Sequence, residues 1–141
     1  RDNLSYGIVQ SSDEDIIEAA KKTSIIGLIN SLPSGLDTEV PEGGESVSGG
    51  QKQLIAITRL MVQNPEIWLL DEPTANVDDG TERLLLNTLK SNISNNQTLV
   101  VVTHRPSVLE LVDRIIVLTP NGIAMDGEKQ KVIQALSGRK E

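Results

Sequence analysis

The sequence predicts an α/β protein with a mostly parallel sheet, and two apolar runs with a helix between them carry that prediction. Residues 67–70 and 98–103 are strand-length runs dominated by apolar side chains, as expected for strands buried on both faces of a parallel sheet. Residues 80–92 between them repeat Leu at helical spacing, which supplies the crossover that parallel strands need. This order of elements indicates a β/α core over residues 65–141.

Helices precede this core, and a hairpin and a helix follow its parallel strands. In residues 1–64, Ser12 with Asp15 three residues later predicts a helix start, and residues 50–64 form a helical pattern that stops at Asn64-Pro65. Residues 25–29 predict another short helix and residues 32–47 a loop. The later elements are a short helix, a strand, a turn, a strand and a last helix, at residues 107–111, 114–118, 120–122, 123–125 and 128–137.

Composition restricts the class of protein. A chain of 141 residues is long enough for one compact domain with a real core. Its net charge of −7 makes a nucleic-acid partner unexpected, since a protein that binds the phosphate backbone needs clustered cations. The chain has no cysteine, and no apolar run approaches the roughly 20 residues of a membrane helix.

Two acids end the first apolar strand. Asp71 and Glu72 directly follow residues 67–70, at the strand end where open α/β sheets bind ligands. Asp71 is a hard oxygen ligand suited to Mg²⁺ beside phosphate oxygens. Glu72 can orient and polarise a water that attacks a γ-phosphate. The same pair can equally be a cap for the segment that follows, so alone it does not decide between a site and a structural role.

A glycine-rich segment precedes the helix at residues 50–64. Ser48, Gly49, Gly50 and Gln51 place free backbone N–H groups at the positive end of the helix dipole, which favours an anion. The glycines allow a phosphate to approach the backbone, and Ser48 adds a hydroxyl donor. A Ser cap with loop glycines is the structural alternative.

The weaker candidates for site residues are His104, Asp78, Arg59 and Arg105. His104 is the one histidine of the chain and directly follows residues 98–103, so it is expected at the same sheet edge as Asp71. A neutral imidazole there can hydrogen-bond a γ-phosphate, or can simply end the strand. Asp78 can be a loop acid, and Arg59 and Arg105 can be surface charges.

Together these patterns occur in the order and spacing of the ABC ATPase family, which the sequence resembles over essentially its whole length. Residues 48–51 resemble the family signature and residues 53–59 the helix after it. Residues 69–74 resemble the Walker B strand with its catalytic Glu. Residues 75–78 resemble the D-loop and residues 103–105 the switch histidine. Val47, Thr58 and Asn76-Val77 depart from the commonest family residues and are interpreted as neutral packing variants.

The resemblance implies a partial P-loop NTPase-like fold, with a helical signature subdomain at 1–64, and a role for each site residue. Two such domains would dimerise head to tail around two ATP molecules with Mg²⁺. The implied catalytic residues are Glu72 and His104, and the implied magnesium ligand is Asp71. The implied nucleotide-binding residues, with the signature acting on the partner's ATP, are Ser48, Gly49, Gly50, Gln51 and Asp78.

One family motif does not occur in this sequence. No G-x-x-x-x-G-K-[ST] is found, so the loop that cradles the phosphates and its Lys are missing. The family places that loop and its strand upstream, and residues 1–7 resemble the segment just after the Q-loop in exporters. We therefore expect the chain to be a fragment, inactive as an ATPase by itself.

Finer resemblances predict the transport class. Residues 32–45 resemble exporter-type members, while residues 102–114 and 126–136 look most like bacterial type I secretion ATPases. This implies a transmembrane domain of the same transporter as partner, an exported protein or peptide as cargo, and a position on the cytoplasmic face of the bacterial inner membrane. The alternatives are a lipid or drug exporter, a soluble ABC ATPase, and a non-catalytic binding module.

Overall fold

The computed structural model describes residues 1–8, 11–40 and 47–138. The chain packs as two compact units, residues 1–104 and 105–141. The division between a helical part at 1–64 and a β/α part at 65–141 stays a prediction. Residues 41–46 of the predicted loop, which include the last five residues of the exporter-like run at 32–45, lie outside the described residues.

The first unit begins with four helices. They are α1, α2, α3 and α4, at Asp2–Ser5, Asp13–Lys22, Ile26–Ser31 and Gly49–Gln63, with a 3-10 turn at Gly35–Asp37. The predicted capping box at the start of α2 is confirmed: Ser12 Oγ accepts from the Asp15 N–H, and Asp15 accepts from the Ser12 N–H. Asn64 ends α4 in the left-handed region, at φ 45°. The buried core of these helices comprises Leu4, Ile16, Ala20, Ile25 and Ile29.

A buried hydroxyl pair joins α2 to α4. Thr23 Oγ1 and Thr58 Oγ1 lie 2.7 Å apart, and both side chains are buried. The Thr58 hydroxyl also lies 2.6 Å from the Leu54 carbonyl oxygen. A buried hydroxyl is costly unless it has such partners, so Thr23 gives Thr58 a specific reason to be polar. Thr58 is therefore more than a neutral packing variant.

A parallel strand pair follows in the same unit. Strand β1 at Ile67–Asp71 pairs in parallel with β2 at Thr98–Val102, in register from Ile67↔Thr98 to Asp71↔Val102. Helix α5 at Asp79–Asn92 is the crossover between them. It buries Leu85, Leu86 and Leu89, the Leu stripe that the sequence pattern indicated. The predicted strand–helix–strand core is confirmed.

The prediction that these strands are buried on both faces is wrong. Trp68 and Leu70 are buried, but the alternate apolar side chains of the pair are between 48% and 71% exposed. Successive side chains of a strand point to opposite faces, so the described residues cover one face of the pair and leave the other open. We call this open face the apolar sheet face; its members are Ile67, Leu69, Val100 and Val102.

An uncovered apolar sheet face should make the isolated chain self-associate. We expect residues 1–141, expressed alone, to show a mass in light scattering that rises with concentration, because burying these side chains is favourable. The pair Leu69→Thr and Val100→Thr keeps strand propensity and should shift the chain toward monomer. Leu118→Thr, an exposed apolar side chain of the second unit, is the matched control. A concentration-independent monomer would contradict this expectation.

The second unit is a hairpin with a short and a long helical segment. Strands β3 at Arg114–Thr119 and β4 at Gly122–Glu128 pair antiparallel, as predicted, although β4 is longer than the expected 123–125. Gly122 has φ 109°, which the predicted turn requires of a glycine. The 3-10 helix is at Pro106–Leu111, and helix α6 at Lys129–Ser137 packs on β4.

A bidentate ion pair joins strands β3 and β4 of the hairpin. Arg114 Nε and Nη2 each donate to one oxygen of Asp126, both at 2.7 Å. These hydrogen bonds hold the pKa of Asp126 below its ordinary range.

Within the described ranges 1–8, 11–40 and 47–138, no helix is long and apolar enough to cross a membrane.

Candidate active site

The site begins where β1 ends. The Glu72 N–H donates to the Val102 carbonyl at 2.9 Å, which continues the ladder one residue past Asp71. The Ala75 N–H then donates to the Glu72 carbonyl at 2.9 Å and closes a tight turn. Glu72 has φ 44°, in the left-handed region that a residue other than glycine seldom adopts. This strained backbone is the kind that persists where the fold over-determines a functional residue.

Glu72 and His104 form a contact pair at the sheet edge. Because β1 and β2 run parallel, the residues that follow them meet at the same edge, as the sequence predicted. His104 Nδ1 lies 2.7 Å from Glu72 Oε1. The imidazole is 78% exposed and the Glu72 side chain 32% exposed, so the pair is open to a reactant on the His104 side. The structure thus joins two of the predicted site residues directly.

The second carboxylate oxygen of Glu72 is an unused acceptor. Glu72 Oε2 is buried and has no hydrogen-bond partner among the described residues. A buried acceptor without a partner is costly unless a donor reaches it, and a water is such a donor. Glu72 is therefore held by His104 through one oxygen, while its other, buried oxygen still lacks a hydrogen-bond donor in the described part of the chain.

The contact also restricts the histidine tautomer. A carboxylate only accepts, so Nδ1 must carry the hydrogen of the 2.7 Å contact when Glu72 is ionised. The neutral ring then offers Nε2 as an acceptor, and only the imidazolium offers Nε2–H as a donor. The predicted hydrogen bond from a neutral imidazole to a phosphate oxygen is thus available only if this contact breaks.

The glycine-rich segment caps and begins α4. Ser48 Oγ accepts from the Gln51 N–H at 3.2 Å, and Gln51 Oε1 accepts from the Ser48 N–H at 2.8 Å. The structural alternative considered for Ser48 is therefore real. It leaves the Ser48 hydroxyl hydrogen free to donate, and Ser48 and Gly49 are exposed. A cap and a phosphate contact are compatible at this residue.

The glycines of this segment lie against the loop that follows Glu72 and the first turn of α5. A Cβ on Gly49 would lie 3.1 Å from the Asn76 carbonyl oxygen, and one on Gly50 would lie 2.9 Å from Thr81 Cγ2. Asn76 has φ 58°, which Asn tolerates better than most residues. Its departure from the commonest family residue therefore has a backbone reason.

Asp78 caps helix α5. Its Oδ1 accepts from the Gly80 and Thr81 N–H groups at 2.9 and 3.0 Å, and its Oδ2 accepts from the Thr81 hydroxyl at 2.7 Å. The Thr81 hydroxyl is the main reason that the pKa of Asp78 lies below its ordinary value. The cap is therefore fully charged at neutral pH and is lost only as the pH falls through this lowered pKa. A contact to nucleotide remains a prediction for Asp78.

The donors present suit Mg²⁺ only in part. Asp71 is exposed at the end of β1, but no cluster of three or more His, Asp or Glu that could hold a metal occurs in the described part of the chain. Mg²⁺ commonly takes one or two carboxylates and completes its shell with water and substrate phosphates. Asp71 fits that pattern as one ligand beside nucleotide phosphates.

Sequence reasoning missed two features of the site and left one open. It did not single out Thr81, although Asp78 followed by a Thr three residues later is the spacing of a helix cap. It gave Glu72 no special backbone. Arg59, left between site and surface, donates to the Asn3 carbonyl at 2.7 Å and lies over the Tyr6 ring, so it fastens α1 to α4.

Comparison with known proteins agrees with this geometry. The ABC transporter family profile matches residues 2–75, just over half of the chain. The chain therefore belongs to the ABC transporter family, and it corresponds to part of an ABC ATP-binding domain.

Similar proteins include ABC transporter proteins of bacteria and yeast. The chain is 40% identical to an uncharacterized ABC transporter ATP-binding protein, YwjA, of Bacillus subtilis, over 96% of this chain and 23% of that protein. It is 38% identical to an ATP-dependent lipid A-core flippase of Chromobacterium violaceum, over 94% of this chain and 22% of the flippase. It is 35% identical to the mitochondrial iron-sulfur clusters transporter ATM1 of Saccharomyces cerevisiae, over 94% of this chain and 19% of ATM1.

A solved structure gives the same result in three dimensions. A bacterial Atm1-family ABC exporter with ATP bound superposes with a TM-score of 0.85 at 36% identity. The match covers 95% of this chain and 24% of the exporter chain. The predicted fold class, an α/β partial domain of an ABC ATPase, is confirmed. The chain spans at most about a quarter of the length of these relatives.

Proposed function

We propose that this chain is part of the ATP-hydrolysing subunit of an ABC exporter. The observation that carries the proposal is the Glu72–His104 pair at the carboxyl edge of the parallel strands. It places a carboxylate with one free, buried oxygen beside an exposed imidazole, at the strand ends where α/β sheets bind ligands. The family match and the ATP-bound structural neighbour support the same activity.

The proposed mechanism assigns a task to each described group. Glu72 Oε2 accepts a hydrogen bond from the attacking water and orients it, while His104 holds the other oxygen in place. Asp71 would hold Mg²⁺, which neutralises charge on the phosphates. Catalysis in this class is mainly positioning and electrostatics, so the strained turn at Glu72 acts by fixing the carboxylate.

The signature segment would act on a partner's nucleotide. In the proposed head-to-tail dimer, Ser48, Gly49, Gly50 and Gln51 face the ATP held by the phosphate-binding loop of the second subunit. The exposed Ser48 hydroxyl and the N–H groups at the start of α4 are the donors. Asp78 would support this interface from the adjoining turn.

Two kinds of cargo are proposed, each from a different observation. An exported protein or peptide follows from the resemblance of residues 102–114 and 126–136 to type I secretion ATPases. A lipid or other amphiphile is the second candidate, because a relative at 38% identity is named as a lipid A-core flippase. In both, the partner is a transmembrane domain and the subunit lies on the cytoplasmic face of a bacterial inner membrane. Stimulation of ATP turnover in proteoliposomes by peptide or by lipid A distinguishes the two.

The isolated chain should lack ATPase activity. Residues 1–141 contain no phosphate-binding loop motif, so the main cradle and its Lys are missing from this sequence. We expect no phosphate release above background and at most weak heat of binding when MgATP is titrated in a calorimeter. The full-length protein is the positive control, and tight MgATP binding by residues 1–141 would contradict the expectation.

A further inference from the structure

The two glycines at the start of α4 are needed for space, not for backbone freedom. Neither Gly49 nor Gly50 is among the glycines with positive φ. Any L-residue can adopt their backbone, so whether a larger residue fits depends on what its Cβ would touch. The nearest atoms belong to the same chain: the Asn76 carbonyl for Gly49 and the Thr81 side chain for Gly50.

Thr81 uses both branches of its side chain. Its Cγ2 methyl would lie 2.9 Å from a Cβ on Gly50, closer than real Cβ contacts come, whereas its Oγ1 would lie 3.2 Å away, a distance that a small shift can relieve. Its hydroxyl donates to Asp78 Oδ2 at 2.7 Å, so the methyl is held in that direction. Rotating Thr81 away from Gly50 would cost this charge-assisted hydrogen bond.

We infer that Thr81 is a positioning residue that joins the signature segment to the D-loop of the same subunit. The chain of contacts runs from Gly50 through the Thr81 methyl and hydroxyl to Asp78. This inference deepens the proposed function and rests on it, since the signature segment matters for turnover only if it meets a nucleotide. Its consequence is that the donors offered to the partner's ATP are placed by the first turn of α5 in the same subunit, which follows this subunit's own Glu72 and D-loop.

The inference predicts a rescue. Gly50→Ala places a methyl against Thr81 and should displace the first turn of α4, lowering ATP turnover of the full-length protein about tenfold or more, the scale of an ångström-level misplacement. Adding Thr81→Ser removes Cγ2 but keeps the hydroxyl for Asp78, and should recover most of that loss. Adding Thr81→Val keeps the branch and loses the hydroxyl, and should not recover it.

A second readout requires no nucleotide. Ala is the better helix former, so a lower unfolding temperature for Gly50→Ala would reflect the contact rather than helix propensity. Adding Thr81→Ser to Gly50→Ala should recover most of the lost unfolding temperature, whereas adding Thr81→Val should not. Ser12→Ala, which removes the cap of α2, controls for a general loss of stability.

The results of these experiments distinguish the contact, the positioning role and the proposed function. If Gly50→Ala does not lower the unfolding temperature, or Thr81→Ser does not restore it, the proposed contact is wrong. If stability is restored and turnover is not, Thr81 supports the fold without positioning the signature segment, and the inference is overturned. If the full-length wild type hydrolyses no ATP, the proposed function fails and the positioning role with it, whereas the stability readout still decides the contact.

Discussion

Replacing Glu72 with Gln in the full-length protein is expected to lower ATP turnover by about 10²-fold or more, the scale of losing a positioned catalytic group. ATP binding should be retained. Gln keeps the length of the side chain, and its Oε1 can still accept from His104 Nδ1. What it lacks is the charge with which the free oxygen polarises water. The measurement is steady-state phosphate release beside nucleotide binding at equilibrium.

Glu66→Gln is the matched control for this change. Glu66 is an exposed acid at the opposite end of the same strand, directly before β1. Glu66→Gln should leave turnover near the wild-type value, because Glu66 lies at the amino end of the strand, away from the site at its carboxyl end. Near-normal turnover in Glu72→Gln would show that another group orients the water and would remove Glu72 from its proposed role.

Mixed dimers should show that Ser48 and Glu72 of one chain belong to different ATP sites. Pairing a subunit carrying Ser48→Arg with one carrying Glu72→Gln leaves one intact site if the signature acts on the partner's nucleotide. Placing both changes in one subunit, opposite a wild-type subunit, damages both sites. We expect the first dimer to retain a large share of turnover and the second to fall about 10²-fold, as when a catalytic group is lost.

The two dimers differ only in how the same substitutions are distributed. Expression, stability and the number of altered residues are therefore matched, and tagged subunits allow each dimer to be purified. Higher turnover in the dimer with both changes on one subunit would place Ser48 on the same nucleotide as its own Glu72. That result would contradict the head-to-tail arrangement.

Much of this architecture follows from sequence pattern, because periodicity is a local property. Four elements have the secondary structure that the sequence predicted: the strands at 67–70 and 98–103, the Leu-rich crossover helix and the turn at Gly122. The meeting of Glu72 with His104 follows from parallel pairing, since the residues after both strands share one edge. The capping box at Ser12 follows from side-chain spacing alone.

Other features depend on what surrounds each residue. An apolar strand does not reveal whether both of its faces are covered, so the exposure of Leu69 could not be predicted. Glu has no preference for left-handed backbone, so φ 44° at Glu72 is imposed by the turn and not by the residue. The contact of Gly50 with Thr81 joins segments far apart in sequence, and a glycine next to a helix predicts a ligand as readily as a neighbouring side chain.

The backbone of Glu72 has an evolutionary consequence. A residue other than glycine, Asn or Asp in the left-handed region costs roughly 1–2 kcal/mol, so the fold disfavours Glu at this point. If Glu72 orients water as proposed, selection for hydrolysis would keep Glu in place. In a duplicated copy released from that selection, drift toward Gly or Asn would be rewarded with stability. A lineage that binds ATP without turning it over would thus lose this carboxylate more readily than it would lose the buried Leu85 of the neighbouring helix.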